Sequence, residues 1–188
     1  MKYIKILSIF FSIAVLTSSC KTEMIERIDI VNTENGGYVR TISITPSNQQ
    51  ISRAGLAAAQ VAYNVEAYDK EQGRLLDRYE LQARFVDRTP ANGNNSVAYR
   101  AFLSIPASAF SPFAASGLPR TTITIRAADL IRALGLNEAN VSATDQFEID
   151  ATLFLTTGRS FNSRNTGANI TGGPYYNSPF FYRITVAP

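Results

Sequence analysis

The stretch QFEIDATLFL, residues 146–155, decides how this 188-residue chain is read, because Phe147, Ile149, Ala151, Leu153 and Leu155 occupy every second position. A two-residue period turns alternate side chains to opposite faces, so these five share one face of a strand whose other face carries Glu148 and Asp150. TTGRS, residues 156–160, follows and is short enough for a hairpin turn. Outward from there, partial alternation rich in Val, Ile, Thr, Tyr and Phe recurs in IERIDIV (25–31), YVRTISITP (38–46), QVAYNVEAYD (60–69), YELQARFVD (79–87), VAYRAFLSIP (97–106), RTTITIRA (120–127) and FFYRITVAP (180–188). Gly36-Gly37, Gly73 in DKEQG, Asn92-Gly93 and Gly158 fall between the runs, as turn residues should. The pattern predicts an all-β, antiparallel sandwich. One segment departs from it: AADLIRALGL (127–136) has Leu130, Ile131 and Leu134 at helical spacing and Gly135 as a stop, a short crossover helix. RAGLAAAQ (53–60) reads as a loop or one helical turn, and long loops are expected around 106–119 and 162–179.

The chain's single cysteine explains the other end. MKYIKILSIFFSIAVLTSSC has Lys2 and Lys5, then the apolar run Ile6 to Leu16, then small polar residues up to Cys20. That is the layout of a secretory signal, with a centre too short for a membrane span of about 20 residues. Leu16 to Cys20, LTSSC, resembles the lipobox of bacterial lipoproteins, in which the cysteine sulfur receives diacylglycerol. The expected organisation is a signal peptide over 1–19, a lipidated tether over 20–27 and a β-sandwich domain over 28–188. Acyl chains on Cys20, each buried methylene contributing about 0.8 kcal/mol, are then the contact with the membrane.

Loss of residues 1–19 removes Lys2 and Lys5 and no acid, so 18 basic residues fall to 16 against 15 acidic ones. Nearly balanced charge gives no reason to expect nucleic acid as a partner. The chain has no histidine, which excludes Ser/His and Cys/His nucleophilic arrangements and the commonest metal ligand. Catalysis would have to rest on carboxylates. Glu148 and Asp150 share a strand face, but alternation puts that face in water, where neither carboxyl is desolvated for acid work. DKEQG, residues 69–73, has oxygen donors but too few for a calcium loop, and reads as a hairpin turn. Neither a metal site nor a cofactor is expected, and no catalytic residue is assigned.

Aromatic residues crowd into GGPYYNSPFFYRI, residues 172–184. Phe180 and Tyr182 fit the inward positions of the last strand. Tyr175 and Tyr176, in a Gly/Pro-rich loop, are the candidate ligand-binding pair, able to stack on a sugar ring or a peptide. The absence of tryptophan argues against a large carbohydrate platform.

GLPRTTITIRAADLIRALGL, DQFEIDATLFLTTGRSF and NTGANITGGPYYNSPFFYRITV, with the earlier GGYVRTISI and VEAYDKEQGRLLDRYELQARFVD, resemble a family of uncharacterised Bacteroidetes lipoproteins. Its members are commonly encoded beside a starch-utilisation-type pair, a TonB-dependent outer-membrane transporter and its lipoprotein lid. The resemblance implies an immunoglobulin-like sandwich and an accessory role in ligand capture or nutrient uptake at the outer membrane, with transporter and lid as partners. It carries over no catalytic residue. The alternatives are a glycan- or peptide-binding module using the aromatic loop and, last, a carboxylate-based glycosidase. CKTEMIER, residues 20–27, mixes both signs of charge and assigns no face of the membrane.

Overall fold

The computed structural model describes residues 36–188, apart from Pro90, Asn92, Tyr175, Tyr176, Ser178, Pro179 and the side chain of Asn169. The chain divides into Met1–Glu34 and Asn35–Pro188, and everything described below belongs to the second unit. Residues 1–19, expected to be a signal peptide, Cys20 and the run IERIDIV lie outside the described residues.

Residues 146–155 form the strand that the alternation predicts, β8 (Gln146–Leu155), within the larger of two sheets. The other strands are β1 (Tyr38–Thr45), β2 (Gln50–Ser52), β3 (Gln60–Tyr68), β4 (Leu76–Val86), β5 (Val97–Pro106), β6 (Ser111–Pro112), β7 (Pro119–Arg126), β9 (Ser160–Phe161) and β10 (Phe181–Ala187). The larger sheet runs β2-β10-β8-β4-β5, with β9 pairing β8 beyond the start of β10, and the smaller runs β1-β3-β7-β6. Strands one, three, seven and six on one side, and four, eight and ten on the other, reproduce the immunoglobulin-like order. The chain is an all-β sandwich. Its sandwich is not wholly antiparallel, because β2 runs parallel to β10. Alternation reports which face a residue occupies and carries no information on the direction of a neighbour, and a three-residue strand barely alternates at all.

Between the sheets, Val61, Tyr63 and Val65 of β3 and Ile123 and Ile125 of β7 meet Tyr79, Leu81 and Phe85 of β4 and Phe147 and Ile149 of β8, all buried. Phe180 and Tyr182 are buried as expected. Tyr182 shares a hydroxyl contact of 3.0 Å with Tyr79 and tilts its ring against Tyr63 at 4.6 Å. Burial pushes all three phenols up, well away from ionisation. AADLIRAL forms α1 (Ala127–Leu134), which buries Leu130 and Leu134 and ends at Gly135. RAGLAAAQ contributes one 3-10 turn, Leu56–Ala58.

Four loop expectations change, the first being that 106–119 is not one unpaired loop: it holds a 3-10 turn, Ala107–Ala109, and β6, which pairs with β7. DKEQG is no hairpin: it carries the chain from β3 in the smaller sheet to β4 in the larger. Its Asp69 is buried and accepts hydrogen bonds from the amides of Glu71 at 2.7 Å, Gly73 at 3.0 Å and Leu75 at 2.9 Å. The Asx-type turn that marks a hairpin serves equally for a crossover, so turn chemistry alone could not separate them. Residues 87–96 form a further long connection. It folds around Asp87, which accepts from the amides of Thr89 and Asn95, both at 2.8 Å, and these bonds hold its carboxyl below the usual range. The 162–179 loop contains a turn of helix, α2 (Ala168–Thr171).

Candidate functional site

The larger sheet's outer face collects the charged side chains that the sequence scatters. Register sets Arg84 of β4 and Arg183 of β10 on either side of Glu148, and Gln82 and Phe181 on either side of Asp150. Arg84 Nε donates to Glu148 Oε2 at 2.6 Å, while Arg183 Nε and Nη2 donate to Oε1 at 3.1 and 2.9 Å. The Glu148 side chain is only 3% exposed, whereas its two guanidinium partners are 42% and 50% exposed. Arg84 lies 4.9 Å from the ring centroid of Tyr99 on β5, and Arg183 lies 5.4 Å from that of Phe181. Expectation and structure part here: Glu148 does point outward, yet it is not on a wet surface. Two arginines from neighbouring strands cover it, and only the strand register reveals that.

The same device occurs on the other face. Arg40 of β1, Glu66 of β3 and Arg120 of β7 stand in register, with Arg40 Nη2 at 2.7 Å and Arg120 Nη2 at 2.8 Å from the Glu66 carboxylate, and Ser116 Oγ at 2.8 Å. Phe113 covers Arg120, its ring centroid 3.5 Å from the guanidinium carbon. Burial alone would raise the Glu66 carboxyl. The bonds from Arg120, Ser116 and Arg40 outweigh it and hold the group below the usual carboxylate range. Such Arg–Glu–Arg rows bind adjacent strands across their outer faces. What distinguishes the row on the larger sheet is that its arginines stay half open to solvent.

Beside that open row stands the excursion of residues 162–180. It leaves from β9 and returns at β10, both lying along β8. Arg164 Nη1 donates to Asp150 Oδ2 at 2.8 Å, and Asn165 Nδ2 donates to Ser160 O at 2.9 Å. At the far end Asn177 bridges to β1: its carbonyl accepts from Thr41 N and its Nδ2 donates to Thr41 O, each at 3.0 Å. β1 carries a bulge at that point, between Thr41 and Ser43. The buried Phe180 closes the excursion, its carbonyl accepting from Ala151 N at 2.8 Å. Tyr175 and Tyr176 lie outside the described residues, between Pro174 and Asn177 in the chain.

Among the described residues no group of three or more Cys, Asp or Glu side chains is placed to hold a metal ion. Asp87 and Asp145 share the Thr89 hydroxyl, at 3.0 and 3.2 Å, and the Asp145 oxygens also accept from Arg88 N at 2.8 Å and Ser142 N at 2.7 Å. Among the same residues no helix is long and apolar enough to cross a membrane. The partners that sequence reasoning missed are Arg84, Arg183 and Tyr99. Each is a lone polar or amphipathic residue in its own segment, and only the strand pairing brings them together.

Fold and face define an immunoglobulin-like β-sandwich with an arginine-clasped outer sheet and a long excursion beside it. No family model matches the chain, and no curated protein matches it either.

Proposed function

We propose that the protein is a lipid-anchored, non-enzymatic accessory of the outer membrane that assists ligand capture or nutrient uptake by a transporter complex. The observation that carries this reading is the sole cysteine, Cys20, standing at the end of a signal-like segment and followed by an unbroken run of cysteine-free chain. The geometry supports it from the other side. Glu148, Glu66 and Asp150 are held by arginines, and Asp69 by backbone amides, which is the chemistry of structural carboxylates. A glycosidase needs one carboxyl desolvated and unpaired so that it can carry a proton. Co-purification from solubilised outer membranes is the test: a TonB-dependent transporter should accompany the protein. Recovery of the protein alone, in the soluble fraction, overturns the reading.

A second reading, direct binding of a glycan or peptide, is favoured by the position of the excursion's roots next to Arg164, Phe181 and the half-open Arg183. Tyr175 and Tyr176 are its proposed contacts. Affinity electrophoresis through gels containing a soluble glycan should show retardation that a Tyr175→Ala, Tyr176→Ala double variant loses. Equal retardation of both proteins removes the two tyrosines from the site.

A further inference from the structure

β5 ends the larger sheet, and among the described residues no strand pairs with its outer edge. Edge strands are normally guarded by charge, proline or bulges. β5 has its only proline at the last position, and its one charged side chain, Arg100, is turned onto α1, where Nη1 donates to Leu134 O at 3.0 Å. Most of the strand is exposed, with Tyr99 and Leu103 among the most open large apolar side chains of the described residues.

β5 shifts register against β4 twice: between the pairs Leu81–Leu103 and Gln82–Ala101, which leaves Phe102 as the extra residue, and between Ala83–Arg100 and Phe85–Val97. Phe102 and Leu103 thereby line a depression on each side of the strand. The one on the outer sheet face, about 280 Å³, is bordered by Glu80, Gln82 and Ser104. The one on the other side, about 300 Å³, lies against β7 and α1 and is bordered by Thr124, Arg126, Asp129 and Arg132. A strand laid along β5 would pair with its outward-facing peptide groups and send alternate side chains to the two sides, one set into each depression. On the α1 side two arginines, 61% and 79% exposed, face a single aspartate, so the local charge favours an acidic visitor.

We propose that the edge of β5 is a strand-addition site for an extended segment of a partner protein, with apolar side chains beside Leu103 and acidic ones toward Arg126 and Arg132. The proposal uses no residue of the 162–180 segment and does not depend on the anchored-accessory reading.

The test uses the full-length chain in detergent and fluorescent synthetic peptides of about ten residues, Leu and Val alternating with Asp, with Lys-for-Asp counterparts. Fluorescence anisotropy should show binding of the Asp peptides, weakened about tenfold or more by Leu103→Lys, by the Arg126→Glu, Arg132→Glu double variant, and by the Lys exchange. Thermal melts should show both variants folded, and hydrogen exchange should slow within residues 97–104 when peptide is added. Absence of binding, binding indifferent to the peptide's charge, or binding unchanged in both variants overturns the proposal. Sedimentation of the free protein as a dimer, with the β5 amides already protected, also overturns it and assigns the edge to a second copy of the chain.

Discussion

Glu66 and Glu148 are outward-facing carboxylates that the surrounding arginines have taken out of water, and the two should differ in what they contribute. The partners of Glu66 are 26% and 19% exposed, those of Glu148 roughly twice as open. When the carboxylate is replaced by an amide, half-open arginines regain water more completely than covered ones. Urea unfolding at neutral pH should therefore show Glu66→Gln costing about 1–3 kcal/mol and Glu148→Gln less. Acid provides a second signature. Because the folded protein holds Glu66 below its ordinary value, its contribution is fully present above the unfolded carboxylate range, near pH 4, and is lost as pH falls through the depressed folded value. Stability of the wild type should drop more steeply with acid than that of Glu66→Gln, and parallel curves would refute the assignment. None of this was legible in the sequence. Alternation places Glu66 and Glu148 on outer faces, and only register says that arginines from both neighbouring strands reach them.

Elements were far more legible than their connections. Seven alternating runs within the described residues became strands, and α1 formed where the spacing of Leu130, Ile131 and Leu134 put it. The short strands β2, β6 and β9 have too few residues to show a period, and the crossover character of DKEQG depends on which sheet receives β4. That crossover has a tight point at Gly73. Gly73 has φ +84° and sits where a Cβ would lie 2.3 Å from Cδ of Pro119 at the head of β7, whereas Gly158 in the β8–β9 turn has φ +82° and open space around it. Both positions carry the strain of a left-handed backbone, about 1–2 kcal/mol for alanine, but only Gly73 adds a collision. Thermal unfolding should rank Gly73→Ala as clearly more damaging than Gly158→Ala. Equal losses would mean that the turn can move away from β7.

At the scale of the whole molecule, folding and location should separate. The described sandwich contains no cysteine and draws its core from Val39 onward. On the proposed anchoring, Cys20→Ser should leave the melting temperature of the domain unchanged while abolishing membrane retention, since the acyl chains would supply the affinity. A variant that still sediments with membranes, or one that no longer folds, contradicts the tether. The sandwich class was readable from periodicity because one buried face repeats in most of the long strands, β5 excepted, while Tyr175 and Tyr176 are two residues without a patterned neighbourhood from which a role could be read. The interrupted final strand has a last implication. The excursion departs beside Leu153 and returns beside Asp150, so residues 162–180 leave and rejoin the scaffold about 10 Å apart on one strand. With both ends fixed, doubling the length of such a segment costs only about 0.6 kcal/mol in closure entropy. Ends this close allow the segment between them to be lengthened, shortened or rewritten while β8, β9 and β10 keep their register.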